Sequence, residues 1–222
     1  MNYISPWIMT TMRCNCACGY CFLKQESSDM SEKVYQQIQN VTNHLLDTKQ
    51  VDHIVFRIAG GEPLLCFDKW KKIFATIKKE HPKQVSLALL TNLTLLTEEM
   101  LDWFVANDVG FGVSLDSLGY GKPFKDGTSS SRLVANNIEK LILKRGNESL
   151  DISTVICSTN LTQIPKLARF IAGNNLSWGI TLDHYFCGEI DKNILKDLLF
   201  KTIDELDKYN YNRHYVHSIG LL

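Results

Sequence analysis

No hydrophobic run in this 222-residue chain approaches the ~20 residues that span a bilayer, so the sequence offers no transmembrane helix. The N-terminus, Met1-Asn2-Tyr3-Ile4-Ser5-Pro6, has no basic region followed by a long apolar stretch and reads as no signal peptide. Charge of either sign is not in excess: 24 Lys and Arg face 24 Asp and Glu, so no net field draws nucleic acid or an anionic membrane. There is no low-complexity tract and no composition shift that marks a linker. A disulfide framework is also missing. The seven cysteines are odd in number and four of them share one octet, which points to a reducing compartment, the cytoplasm. What is present is apolar mass: 45% of residues, enough for a sizeable core and against disorder.

The crowded octet is Cys14-Asn15-Cys16-Ala17-Cys18-Gly19-Tyr20-Cys21. Cys14, Cys18 and Cys21 make the spacing C-x3-C-x2-C. Three thiolates on one short loop suit a four-iron cluster in which one iron has no protein ligand and can hold a small molecule. Two rival readings use the same residues. Four cysteines suit structural zinc, although closed zinc sites draw on two separated pairs and no second pair exists here. An electron-transfer cluster needs a fourth ligand, either Cys16 or a distant cysteine. Cys66, Cys157 and Cys187 are isolated and read as buried, unreactive thiols.

Around the octet, β-type apolar runs alternate with helical periodicity. Strands are expected at residues 7–11, 53–58, 85–90, 109–113, 152–156 and 178–182. Helices are expected after each: one capped by Ser31 with Val34, Ile38, Val41 and Leu45 on its apolar stripe, one carrying Trp70 and Phe74, and one capped by Thr97. Three more carry Ile138 and Leu141, Leu167 and Ile171, and Leu195 to Leu206 within about 191–209. Six strand-then-helix units imply a parallel sheet with right-handed crossovers. Polar signatures sit just after strands, where an open or closed α/β barrel places its site: Gly60-Gly61-Glu62-Pro63, Thr91-Asn92 and Ser114-Leu115-Asp116.

Cys14-Asn15-x-x-Cys18-x-Tyr20-Cys21 resembles the cluster loop of radical S-adenosylmethionine (SAM) enzymes, in the branch that modifies peptides and proteins. The three strand-end signatures match further landmarks of that family in the same order, and the likeness runs from Pro6 to about Tyr209. It implies an α/β fold, a partial TIM barrel with a (βα)6 core over residues 1–209, and a tail at 210–222 that is the start of a truncated extension or simply the end. The cysteine-rich C-terminal extension of many such maturases is not seen, since only Cys187 follows residue 160.

The resemblance further implies that Cys14, Cys18 and Cys21 hold a [4Fe–4S] cluster whose fourth iron chelates SAM. An electron donor such as flavodoxin or ferredoxin is implied too, with reductive cleavage of the sulfonium yielding a 5′-deoxyadenosyl radical. Tyr20 would lie against the adenine. The strand-end backbone at Gly60 and Gly61, with Glu62, would receive the cofactor's ammonium group, since glycines let backbone approach a ligand, and Pro63 would stiffen the turn. Ser114 matches a ribose contact, and Asp116 meets ribose or holds a neighbouring loop. Thr91 and Asn92 contact the cofactor or only form a turn. Lys125, Arg132 and Lys122 are candidates for its carboxylate. Arg57 pairs with a core carboxylate or reaches the site, and His184-Tyr185 faces substrate or packs. Cys16 has no place in the spacing and reads as a bystander. The expected substrate is a peptide or protein side chain. A small molecule of cofactor or nucleoside synthesis is the alternative, and a metal-stabilised binding module the non-enzymatic one.

Overall fold

A computed structural model describes residues 2–183 and 190–211. Its strands are β1 (Tyr3–Ile4), β2 (Trp7–Met9), β3 (His53–Ala59), β4 (Val85–Thr91), β5 (Gly110–Ser114), β6 (Leu150–Ile156) and β7 (Ser177–Leu182). Its helices are α1 (Glu32–Asp47), α2 (Phe67–Glu80), α3 (Glu98–Ala106), α4 (Ser131–Arg145), α5 (Ile164–Gly173) and α6 (Lys192–Asp207). Each strand from β2 onward is followed by one helix, and the fold is a partial TIM barrel of parallel strands. No helix among the described residues is long and apolar enough to cross a membrane. His184, Tyr185 and Cys187 lie outside the described residues.

The chain forms two compact units, with β5 beginning in the first and ending in the second. In the first unit, β1 and β2 both pair in parallel with β3, and β3 pairs in parallel with β4. The β4 side chains alternate between buried and half-buried, the period of a strand. Trp70, Phe74, Ile77, Leu89, Leu101 and Phe104 are all but fully buried, each contributing roughly 1.5–3 kcal/mol of apolar burial as an upper figure. Rings of Phe67, Trp70, Trp103 and Phe104 meet edge to face or stacked, with centroids 5.1–6.3 Å apart. The Trp70 indole also donates to the Pro63 carbonyl at 2.9 Å, which ties this core to the Gly-Gly-Glu-Pro turn.

In the second unit, β6 and β7 pair in parallel, and Ile138, Leu141, Ile152, Leu167 and Ile171 are buried. The Trp178 indole donates to Thr154 Oγ1, which itself donates to the Leu115 carbonyl at 2.7 Å. An ion pair joins α5 to α6, Arg169 to Glu205 at 3.1 Å, and the two cations beside Glu205 hold its pKa down at about 2.

Sequence expectation and structure differ at several elements: Ser31 makes no side-chain cap bond, and Leu133, Leu199 and Ile203 are exposed on their helices. β1 is an added two-residue strand before the Ser5-Pro6 break. The α1 stripe is offset: Val34 and Val41 are exposed, while Tyr35, Thr42 and Leu46 are buried. Among the described residues Arg57 meets no carboxylate; it donates to Ser5 Oγ at 2.8 Å and lies over the Trp7 ring.

Candidate active site

The first unit carries Cys14 and the Gly-Gly-Glu-Pro turn. Beyond β2, backbone pairing with the end of β3 continues: Gly61 N donates to the Thr11 carbonyl and Glu62 N to the Arg13 carbonyl, both at 2.8 Å. The glycines make this approach possible. A Cβ on Gly60, whose φ is +154°, would stand 2.5 Å from the Thr11 carbonyl oxygen. A Cβ on Gly61 would overlap the Arg13 carbonyl and stand 3.1 Å from Cys14 Cβ. The Glu62 side chain is fully buried; Oε1 accepts from Leu64 N at 3.0 Å and from Thr91 Oγ1 at 2.7 Å. Glu62 thus caps the Pro63–Cys66 turn, and Thr91 at the end of β4 braces it.

Arg13, directly before Cys14, is held by Asp29 in a bidentate pair at 2.8 and 2.9 Å. Burial works against the charge on Asp29, but Arg13, Lys69 and Thr11 outweigh it and hold the carboxyl well below its ordinary value of 3.8. A depressed folded-state pKa gives stability that is present above the unfolded value and lost as pH falls through the folded one. Urea midpoints of the apo chain are therefore expected to drop between about pH 4 and pH 2, with a shallower drop in Asp29→Asn.

The second unit carries the rest of the octet. Cys18 is half-buried and Cys21 exposed, as Cys14 is half-buried in the first unit. Cys16 is buried at 1% exposure, bridged to Phe124, and its sulfur accepts from Asn92 Nδ2 at 3.4 Å. Asn92 Oδ1 in turn accepts from Thr94 N and Oγ1 at 3.0 and 2.7 Å. Leu93 follows at φ +58°, a strained conformation for leucine, its carbonyl held by Asn137. Asn92 therefore builds the turn under the octet.

The Tyr20 hydroxyl donates to Asp116 Oδ2, and Asp116 Oδ1 accepts from Val155 N at 3.0 Å. Burial, then the Asp116 carboxylate, push the Tyr20 pKa far above its ordinary value, so the phenol keeps its proton. Asp116 thus ties the octet to β6. Tyr20→Phe leaves one carboxylate oxygen of a buried Asp without that donor. Chemical denaturation of the variant is expected to show a loss of about 2 kcal/mol.

Beside Tyr20 and Asp116 lies a cavity of about 200 Å³, also lined by Cys18, Lys122, Cys157 and Asn160. Lys122 Nζ sits 5.6 Å from the centroid of the Tyr20 ring. Lys125 is exposed at a tight turn and Arg132 is exposed in the first turn of α4; neither lines the cavity. Ser114 is half-buried at the end of β5. Asn160, Cys157 and Thr159 carried no motif; Asn160 braces the turn after β6 by donating to the Val155 carbonyl at 2.7 Å. Cys66 is buried, and burial raises its thiol pKa.

The donor set fits an iron–sulfur cluster. Three thiols at C-x3-C-x2-C are accessible to some degree, whereas Cys16 is withdrawn. Among the described residues no group of three His, Cys, Asp or Glu side chains is gathered to hold one metal ion.

The chain is 27% identical over 169 residues to an uncharacterised protein, MJ0907, of Methanocaldococcus jannaschii, covering 74% of this chain and 57% of that one. It is 31% identical over 148 residues to a GTP 3′,8-cyclase of Campylobacter lari, covering 65% and 42%. The chain thus spans about half the length of these curated relatives. Among solved structures, anSMEcpe with bound AdoMet and the Cp18Cys peptide shares the fold at a TM-score of 0.72 and 18% identity, covering 93% of this chain and 59% of that one. The radical SAM superfamily profile matches residues 8–178. With that match over most of its length, the chain belongs to the radical SAM superfamily, whose cofactors are a [4Fe–4S] cluster and S-adenosylmethionine.

Proposed function

We propose that this chain cleaves SAM reductively and uses the resulting radical to take a hydrogen atom from a peptide or protein side chain, as a maturase. The observation that carries the reading is the octet. Cys14, Cys18 and Cys21 stand at the ligand spacing, while Cys16 is committed to Asn92. When bound, the cluster and SAM supply the 5′-deoxyadenosyl radical, with the electron coming from an external donor such as flavodoxin or ferredoxin.

The chain's own residues bind and orient. In this reading the backbone at Gly60–Glu62 receives the cofactor's ammonium group, with Glu62, Pro63 and Thr91 keeping the turn in shape. The cavity beside Tyr20 and Asp116 takes the nucleoside, and Ser114 meets the ribose. Of the three cations after β5, Lys122 lines this cavity and serves the carboxylate. In this reading residues 1–209 form the radical SAM core; residues 212–222 lie outside the described residues. A reducing, cytoplasmic setting suits the thiols.

The peptide reading is supported by the loop sequence Cys14-Asn15-x-x-Cys18-x-Tyr20-Cys21 and by the fold shared with anSMEcpe, captured with a peptide. A second reading, a small-molecule substrate, is favoured by the 31% identity to a GTP 3′,8-cyclase. Anaerobically reconstituted protein, dithionite and SAM are offered peptides encoded beside the gene, then nucleoside triphosphates. A peptide mass change that requires both protein and SAM is the expected result. Conversion of a nucleotide with every peptide unchanged overturns the peptide reading.

A further inference from the structure

Asp29 lies eight residues beyond the last cysteine of the octet, on a segment to which no motif drew attention. The chain leaves β2, makes the octet, and returns. The returning arm pairs with the outgoing one: Met30 N donates to the Thr10 carbonyl and Met12 N to the Ser28 carbonyl, both at 2.8 Å. Thr11 and Asp29 form an antiparallel bridge between the arms. The octet is therefore a closed loop with a paired base.

Asp29 locks that base by its side chain. Oδ1 accepts from Thr11 Oγ1 at 2.7 Å and from Arg13 Nε at 2.8 Å. Oδ2 accepts from Arg13 Nη2 at 2.9 Å and from Lys69 Nζ at 2.8 Å. The Asp29 side chain is only 15% exposed, so one carboxylate on the returning arm meets three donors from the outgoing arm and one from α2 in a half-shielded place. Thr11 Oγ1 also accepts from Arg13 N at 3.1 Å, which fixes the backbone one residue before Cys14. Gly61 lies closely against the same stretch.

We propose that Asp29 is a positioning residue for the cluster ligand Cys14, acting through Arg13. Its side-chain partners are Thr11, Arg13 and Lys69, so it would act through them rather than on the cluster. Its carboxylate fixes the outgoing arm, so that the Cys14 thiol is held in place before any iron arrives. The inference rests on Cys14 being a ligand, but its first test does not need the cluster.

That test is the alkylation rate of each cysteine in the metal-free protein, read by peptide mass mapping, in wild type, Asp29→Asn, Arg13→Gln and the double variant. Asparagine keeps the shape, removes the charge and turns one acceptor into a donor. Cys14 is expected to react about fivefold faster in either single variant, with Cys157 unchanged and no further gain in the double variant. An unchanged Cys14 rate overturns the proposal. So do rates that multiply in the double variant, since Asp29 would then act elsewhere, and a rise at Cys157 equal to that at Cys14, which marks general loosening.

The second readout is iron and sulfide retained after anaerobic reconstitution and desalting. Asp29→Asn is expected to retain several-fold less than wild type, and equal retention overturns the proposal. Wild type that takes up no iron defeats the functional reading instead, and the alkylation rates still decide the role of Asp29.

Discussion

A chain with Cys14, Cys18 and Cys21 all replaced by alanine is expected to hold no iron or sulfide after anaerobic reconstitution and to release 5′-deoxyadenosine only at background. Each single replacement is expected to fall almost as far, because a cluster bound through three thiolates has no spare protein ligand. Cys16→Ala provides the contrast. Its sulfur is buried and accepts the Asn92 amide, so removal leaves a small cavity and takes that partner from Asn92. A stability loss of about 1–2 kcal/mol is expected, with iron and sulfide retained. Metal analysis, sulfide assay and product chromatography on the five variants check the set. Loss of the cluster from Cys16→Ala would assign that residue as a ligand and remove the free iron site on which SAM binding depends. Zinc in place of iron and sulfide in wild type, or release of 5′-deoxyadenosine by the triple variant equal to wild type, would return the octet to a metal-stabilised binding module.

The order of strands and helices was legible because each element carries its own period. The β4 alternation and the Thr97 cap, whose Oγ1 accepts from Met100 N at 3.2 Å, are local properties that need no knowledge of neighbours. β1 escaped because two residues carry no period. The α1 stripe was offset because periodicity gives the pitch of a helix but not which flank a neighbour covers. Tyr35 and Leu46, each one position beyond a residue of the stripe, take the buried side.

The cofactor landmarks were legible for the same local reason: cysteine spacing and adjacent glycines are written consecutively. Partners were not. Whether Asn92 is a ligand or a turn residue depends on Cys16, 76 positions earlier. Whether Asp116 holds ribose or protein depends on Tyr20, 96 positions away. Among the cations after β5, the spacing favours Lys125 and side-chain chemistry favours Arg132, with Lys122 in the same neighbourhood; that Lys122 lies over the Tyr20 ring while Lys125 and Arg132 are exposed is a matter of tertiary placement that no local pattern carries. Asp29 carried no signal at all, since a lone aspartate before a helix reads as a capping or solvated residue.

Gly61→Ala is expected to damage the first unit severely, although it adds only one methyl group. The new Cβ would overlap the Arg13 carbonyl oxygen, stand 2.7 Å from its carbon and 3.1 Å from Cys14 Cβ. Two of these are backbone atoms of an arm already fixed by Asp29, so no side chain can turn aside to make room. Either the arm carrying Cys14 or the turn carrying Glu62 must move. Movement breaks the bonds of Gly61 N to Thr11 and Glu62 N to Arg13, both 2.8 Å long. A loss of about 3 kcal/mol in the apo chain is expected by chemical denaturation, together with loss of most cluster iron. Gly179→Ala in β7 is the control: its Cβ would meet only the Ile152 carbonyl oxygen, at 3.9 Å, and its effect should stay within about 0.5 kcal/mol with iron intact. If both variants instead bound iron alike and melted together, the turn would have room to yield. The close approach of Gly61 to Cys14 would then be a consequence of the fold rather than a requirement of the cluster loop.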